Sequence, residues 1–186
     1  MAKIYIDQGH NPRNPNAGAE GNGYREQDLV YEIGVQTAAI LRGAGQEVRL
    51  SRPTPETQLG TSNTSSLAAR VNDANSWGAD YFVSLHANAS ENPSAGGSEA
   101  YVFRRGGEAE ALAESILTEL SDVTGLENRG VFVRPTLYVL RRTRMPATLI
   151  ELGFITNPAD AELMADEPWL FAAGVANGIL EYLGVI

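Results

Sequence analysis

Lys3-Ile4-Tyr5-Ile6-Asp7-Gln8-Gly9 is an apolar run of strand length, and Glu47-Val48-Arg49-Leu50-Ser51-Arg52 is a second. Between them, Gln27 to Arg42 sets Val30, Ile33, Thr37, Ile40 and Leu41 at helical spacing and closes on Gly43, a residue suited to ending a helix. Strand, helix, strand is a βαβ opening, and strands joined through a helix run parallel. The alternation continues along the chain. A helix is expected from Ser66 to Trp77, then strands at Tyr81 to Asn88 and Gly97 to Arg104. Glu108 to Val123 follows as a helix with Leu112, Ile116, Leu120 and Val123 on one face. Gly130 to Arg134 and Ala147 to Phe154 are the last strands, the second apolar on both faces as a buried central strand is. Asn157 caps a helix that has Pro158 at its first position. Pro168 opens another, in which Phe171, Val175, Ile179 and Leu183 recur every fourth residue before Gly184. With no internal repeat and no linker, the expectation is one α/β domain over residues 1–186: a twisted, mostly parallel sheet with helices on both faces.

Composition narrows the chemistry. A chain of 186 residues with 43% hydrophobic content can bury one core. Without cysteine it has no thiolate metal site, no disulfide and no Cys nucleophile, so any metal must be held by His, carboxylate and water. Fourteen basic against 23 acidic residues give a net charge of -9, which disfavours nucleic acid and anionic membranes as partners. The most apolar stretch, Phe171 to Ile186, is interrupted by Asn177 and Glu181 and falls short of the ~20 residues of a transmembrane helix. Met1-Ala2-Lys3 enters a strand at once, leaving no room for a signal peptide, so synthesis in the cytoplasm without a Sec leader is expected.

The chain has only two histidines, and both stand at strand ends: His10 after Ile6-Asp7-Gln8-Gly9 and His86 within Val83-Ser84-Leu85-His86-Ala87-Asn88. A single histidine in such a place is more often structural. If the first strand and Tyr81–Asn88 are parallel neighbours, however, both imidazoles lie at C-terminal strand edges, where open α/β sheets collect ligands. Catalytic zinc takes three ligands from His and Asp or Glu and leaves a position for water, so one carboxylate would complete the set. Spacing does not choose between Glu20, Glu26 and Asp28. Two irregular loops, Asn11 to Gly23 and Pro53 to Ser65, sit where such folds build sites, and the first runs from His10 toward Glu26.

Four segments in order settle the choice by likeness. Asp7-Gln8-Gly9-His10, Glu26 before an amphipathic helix, Ser84-Leu85-His86-Ala87-Asn88 and Ile150-Glu151-Leu152-Gly153-Phe154-Ile155-Thr156-Asn157 resemble the motifs of the zinc-dependent N-acetylmuramoyl-L-alanine amidases called Amidase_3. Arg70 with Ala74-Asn75, Gly97-Ser98-Glu99-Ala100-Tyr101 and Asn128-Arg129-Gly130-Val131 match as well, so the likeness runs from residue 3 to about 183. It implies that His10, Glu26 and His86 bind Zn2+ and that Glu151 is the catalytic carboxylate. It also implies a peptidoglycan hydrolase that cuts the amide between N-acetylmuramic acid and L-alanine of the stem peptide. The chain departs from the family at Gln8 and Asn11, where Pro and Gly are usual; neither change removes a ligand.

The chemistry explains the residue types. Zinc would polarise the amide carbonyl and make hydroxide available near neutral pH, and Glu151 would take the water's proton and pass it to the departing amine. A carboxylate in mid-strand is otherwise costly unless paired, for instance with Arg141 or Arg144. Arg70 and Asp7 read as hydrogen-bonding partners of the ligand segments. Asn88, two residues beyond His86 on a regular strand, shares its face and is a substrate-contact candidate. Arg134, Arg141, Arg142 and Arg144 form a basic run that is either solvated surface or a seat for a stem-peptide carboxylate.

Two rival readings are a zinc peptidase cutting within the stem peptide and a wall-binding module without turnover. The lack of a leader and of a wall-binding module in this sequence suits either a phage or prophage lysin acting on the cell wall or a catalytic domain cut from a longer chain, with a holin or an accessory wall-binding domain outside this chain; sporulation and cell-separation roles stay open.

Overall fold

The computed structural model describes all 186 residues. Eight strands and six helices follow one another: β1 (Lys3–Gln8), β2 (Glu20–Gly21), β3 (Tyr24–Arg25), α1 (Glu26–Gly43), β4 (Glu47–Leu50), α2 (Asn63–Trp77), β5 (Tyr81–Asn88), β6 (Ser98–Val102), α3 (Glu108–Thr124), β7 (Asn128–Val133), α4 (Tyr138–Arg142), β8 (Ala147–Phe154), α5 (Pro158–Asp166) and α6 (Pro168–Tyr182). Six strands form the main sheet in the order β4-β1-β5-β8-β6-β7. Four of its five pairings are parallel, and only β6 against β8 is antiparallel. The single α/β domain with a mostly parallel sheet expected from the sequence is the observed architecture.

Strand alternation sorts side chains onto two unequal faces. Ile4, Ile6, Val83, Leu85, Ala100, Val102, Ile150 and Leu152 face α1, α3 and α6 in a cluster of 27 buried residues. Tyr5, Phe82, Ala147 and Leu149 face α2 and α4 in a cluster of nine. At roughly 1.5 to 3 kcal/mol for each large aliphatic side chain taken from water, the first face carries most of the stabilisation. The thin face is therefore the one with room for a site.

Local chemistry fixes the elements. Ser62 caps α2 by accepting from Ser65 N, and Ser65 returns the bond, so α2 begins three residues before the expected Ser66. Asn157 accepts from Ala159 N and Asp160 N ahead of Pro158, as expected of a capped start. The hairpin β2–β3 was not expected from the sequence. Its turn is Asn22-Gly23, both with positive φ (51° and 84°), the pair favoured in tight hairpin turns. Five-residue α4, which packs Val139 and Leu140 on the thin face, was not expected either.

Candidate active site

β1 and β5 are parallel neighbours, with Gln8 opposite Leu85, so the chain beyond β1 arrives beside His86. Gly9 makes the approach possible. A β-carbon there would stand 2.5 Å from His86 Cε1 and 2.6 Å from the Leu85 carbonyl oxygen. The next residue, His10, turns into the left-handed region at φ 64° and brings its ring to 4.8 Å from that of His86, nearly perpendicular to it.

Glu26 comes from α1, which packs on the opposite face, and reaches over the edge of the sheet. Its Oε1 lies 2.9 Å from His86 Nδ1 and 3.2 Å from His10 Nε2, and accepts from Ala87 N at 3.0 Å. Oε2 accepts from Ala19 N at 2.9 Å, just before the hairpin. The hairpin is what delivers the helix start: Glu26 N donates to Ala19 O, and Asn22 Nδ2 donates to Ile155 O beyond β8. Burial would raise the Glu26 carboxyl, but its contacts with the two imidazoles outweigh this and hold it well below the ordinary carboxylate range.

The carboxylate and two imidazoles bring their ligand atoms within 4.8 Å of one another. His10 Nδ1 is buried with no hydrogen-bond partner, which an imidazole stacked into a purely structural role would not leave. Two neutral imidazoles and one carboxylate are the donor set that suits zinc, so the residues present fit that ion. Glu20 and Asp28, the other acids the spacing allowed, lie elsewhere: Glu20 is exposed in the hairpin, and Asp28 faces solvent beside Arg25 at 3.5 Å.

Glu151 stands directly across from His86 in the β5–β8 pairing and across from Glu99 in the β8–β6 pairing. The residue keeps some exposed surface, but its Oε2 is closed off from solvent and has no partner. Burial first, then the charges of Glu26 and Glu99, push its carboxyl well above the usual range. Arg141 and Arg144 do not pair with it. They line a separate cavity near Ala147, at the other end of β8. Glu151 is thus a buried carboxyl without a structural counterion.

Asn88 follows an irregularity in the β5–β8 register. Its side chain is already engaged, Nδ2 donating to Glu99 Oε1 at 2.9 Å and Oδ1 accepting from Ala89 N. Sequence reasoning missed Glu99 as a member of the site. It accepts from Asn88, from the Tyr101 hydroxyl at 2.5 Å and from Arg129 Nε at 2.8 Å. The signal lay in Ser98-Glu99-Ala100-Tyr101-Val102, where a charged residue occupies a strand position with only 7% exposure. Beside the histidines is a cavity of about 120 Å³ walled by Leu67, Leu137, Tyr138 and Leu149.

The model of the N-acetylmuramoyl-L-alanine amidase family called Amidase_3 matches residues 4–181. The N-acetylmuramoyl-L-alanine amidase CwlM of Bacillus licheniformis is 36% identical over 184 residues, covering 96% of this chain and 68% of the relative. The sporulation-specific N-acetylmuramoyl-L-alanine amidase of Bacillus subtilis (strain 168) is 34% identical, over 96% of this chain and 67% of its own. Among solved structures, the catalytic domain of the amidase CwlV from Bacillus (Paenibacillus) polymyxa var. colistinus superposes with a TM-score of 0.86 at 31% identity, over the full length of both chains.

Proposed function

Since the chain belongs to the Amidase_3 family of N-acetylmuramoyl-L-alanine amidases, we propose that it hydrolyses the lactyl amide joining muramic acid to L-alanine with a zinc-activated water. His10, Glu26 and His86 would hold the ion and Glu151 would move the proton. Zinc bound there would polarise the scissile carbonyl and acidify water toward neutral pH. The observation that carries this reading is the convergence of those three donors within 4.8 Å, one strand pairing away from a carboxylate with no counterion.

The protein's own groups divide the work. Glu26, fixed by Ala19 N and Ala87 N, stays ionised and orients both imidazoles. Glu151, whose raised carboxyl makes its ionised form a stronger base than an ordinary carboxylate, would accept a proton from the attacking water and return it to the departing amine. Residues 1–186 form the catalytic unit, and the wall is the place of action; no helix is long and apolar enough to cross a membrane.

Digestion of purified peptidoglycan followed by mass spectrometry tests the reading. Intact stem peptides with a free L-alanine amino group are expected. Cuts between amino acids would establish the stem peptidase instead, and no products at all would leave the non-catalytic wall binder. Metal analysis should find about one zinc per chain. Chelation should abolish turnover and added zinc restore it.

A further inference from the structure

The left-handed backbone of His10 is disfavoured for a residue with a β-carbon, and it stands where β1 has ended and the sheet no longer supplies partners. One side chain grips this corner. Arg70, from the middle of α2, is only 1% exposed. Its Nη2 donates to the His10 carbonyl oxygen at 2.5 Å, and its Nη1 donates to the Gln8 carbonyl oxygen and to Asp7 Oδ1, both at 2.6 Å. Longer contacts reach Ser51 Oγ and Asn11 Oδ1, each at 3.3 Å. Asp7 balances the buried cation, and its other oxygen accepts from Ser84 Oγ at 2.7 Å.

An ion pair between Arg70 and Asp7 would by itself account for a buried guanidinium. It does not account for the remaining donors closing on the carbonyls of residues 8 and 10, on either side of the glycine that lies against His86. We propose that Arg70 is a positioning residue for the metal: its planar fork locks the Gln8–His10 turn so that the His10 ring is aimed at His86 and Glu26 before any ion arrives. This inference rests on the reading that His10 is a zinc ligand. The guanidinium is needed because its donors diverge in a fixed plane, whereas a lysine ammonium is a point charge that could satisfy Asp7 without spanning both carbonyls. The grip also makes the site depend on α2, a helix that supplies no ligand.

Zinc affinity, measured by chelator competition, separates this role from simple stabilisation. Arg70→Lys should bind zinc 10- to 100-fold more weakly than wild type, the range typical of groups that orient ligands. The visible absorption bands of its Co2+ form should be altered. Ser84→Ala loosens Asp7 but leaves the carbonyl contacts of Arg70 in place. It should lower Tm yet keep wild-type zinc affinity and an unchanged Co2+ spectrum. Wild-type affinity and spectrum in Arg70→Lys would overturn the proposal, as would an equal loss of affinity in Ser84→Ala.

Should Arg70→Lys fail to fold, the metal-free wild type still decides. Its Arg70 guanidinium should show hindered rotation by 15N NMR, and free rotation before metal is added would overturn the clamp. A wild type that takes up no zinc would overturn both this inference and the function it rests on, whereas unchanged zinc binding in Arg70→Lys would overturn this one alone.

Discussion

At the residue scale, Glu151 joins function to stability. Glu151→Gln removes the proton acceptor without touching the three candidate ligands, so zinc content should hold while turnover falls by roughly 100- to 10,000-fold. Loss of zinc in that variant would make Glu151 a ligand. Its raised carboxyl has a second consequence. The unfolded chain loses this proton near the ordinary value of 4.5 and the folded one only at higher pH, so stability is full below 4.5 and declines as pH rises toward the folded value. Metal-free wild type should therefore melt lower at pH 8 than at pH 5 on this account. Glu151→Gln should lose that part of the decline and melt above wild type at pH 8, by roughly 2–4 °C for each kcal/mol recovered. Equal melting curves across that range would show that the carboxylate is not destabilised by its surroundings.

His86→Ala should lower zinc occupancy and activity together, because two ligands hold a metal poorly. Unchanged metal content would return His86 to a structural role. Gly9→Ala is the steric counterpart. Its β-carbon would meet the His86 ring at 2.5 Å and a strand carbonyl at 2.6 Å, and the carbonyl cannot swing away as a flexible side chain can. Weaker zinc binding in a folded protein is the expected result, read by the same chelator competition.

At the element scale, the thick face of the sheet depends on how closely α3 and α6 approach. Gly178 in α6 lies against Ile116 of α3 so tightly that a β-carbon would fall 2.4 Å from the Ile116 Cα. Ser115 Oγ donates to the Gly178 carbonyl oxygen at 2.8 Å across the same contact. Gly178→Ala must push two helix backbones apart, and overpacking of this kind costs about 1–3 kcal/mol. A lower Tm with unchanged zinc affinity is expected, since this seam lies on the face away from the histidines. Zinc affinity that fell with Tm would show that the two faces are coupled. Elements also explain what the sequence hid. Asn22-Gly23 is a hairpin signal, but its strands are two residues long and lack alternating apolar positions, so the pattern that identifies strands was missing. α4 has five residues, too few to show a helical period.

At the scale of the whole molecule, acid and base are unevenly shared, with a net charge of -9. Cell walls are rich in anionic polymer, so this chain alone should bind intact walls weakly at low salt. Binding should improve as screening shortens the repulsion to ~8 Å near physiological ionic strength. Tight retention at low salt that disappears as salt rises would instead reveal a local basic contact. The cavity lined by Arg104, Arg141 and Arg144 would then be the first place to look.

The sequence by itself determined the order of the principal strands and helices, because hydrophobic period and helix caps are local properties that need only a few neighbouring residues. It also limited any metal to His, carboxylate and water as ligands, because the chain has no cysteine. Spacing left three acids open and motif likeness pointed to Glu26, but only the tertiary structure shows how it reaches the histidines: Glu26 crosses from a helix on the far face, while Glu20 and Asp28 point to solvent. The tertiary structure also brought Glu99 beside Glu151 across an antiparallel pairing of β6 with β8. It closed Arg70 on the backbone of His10 from 60 residues away in the chain. Such contacts depend on strand order and on which face each residue points to, and neither is set until the sheet has assembled.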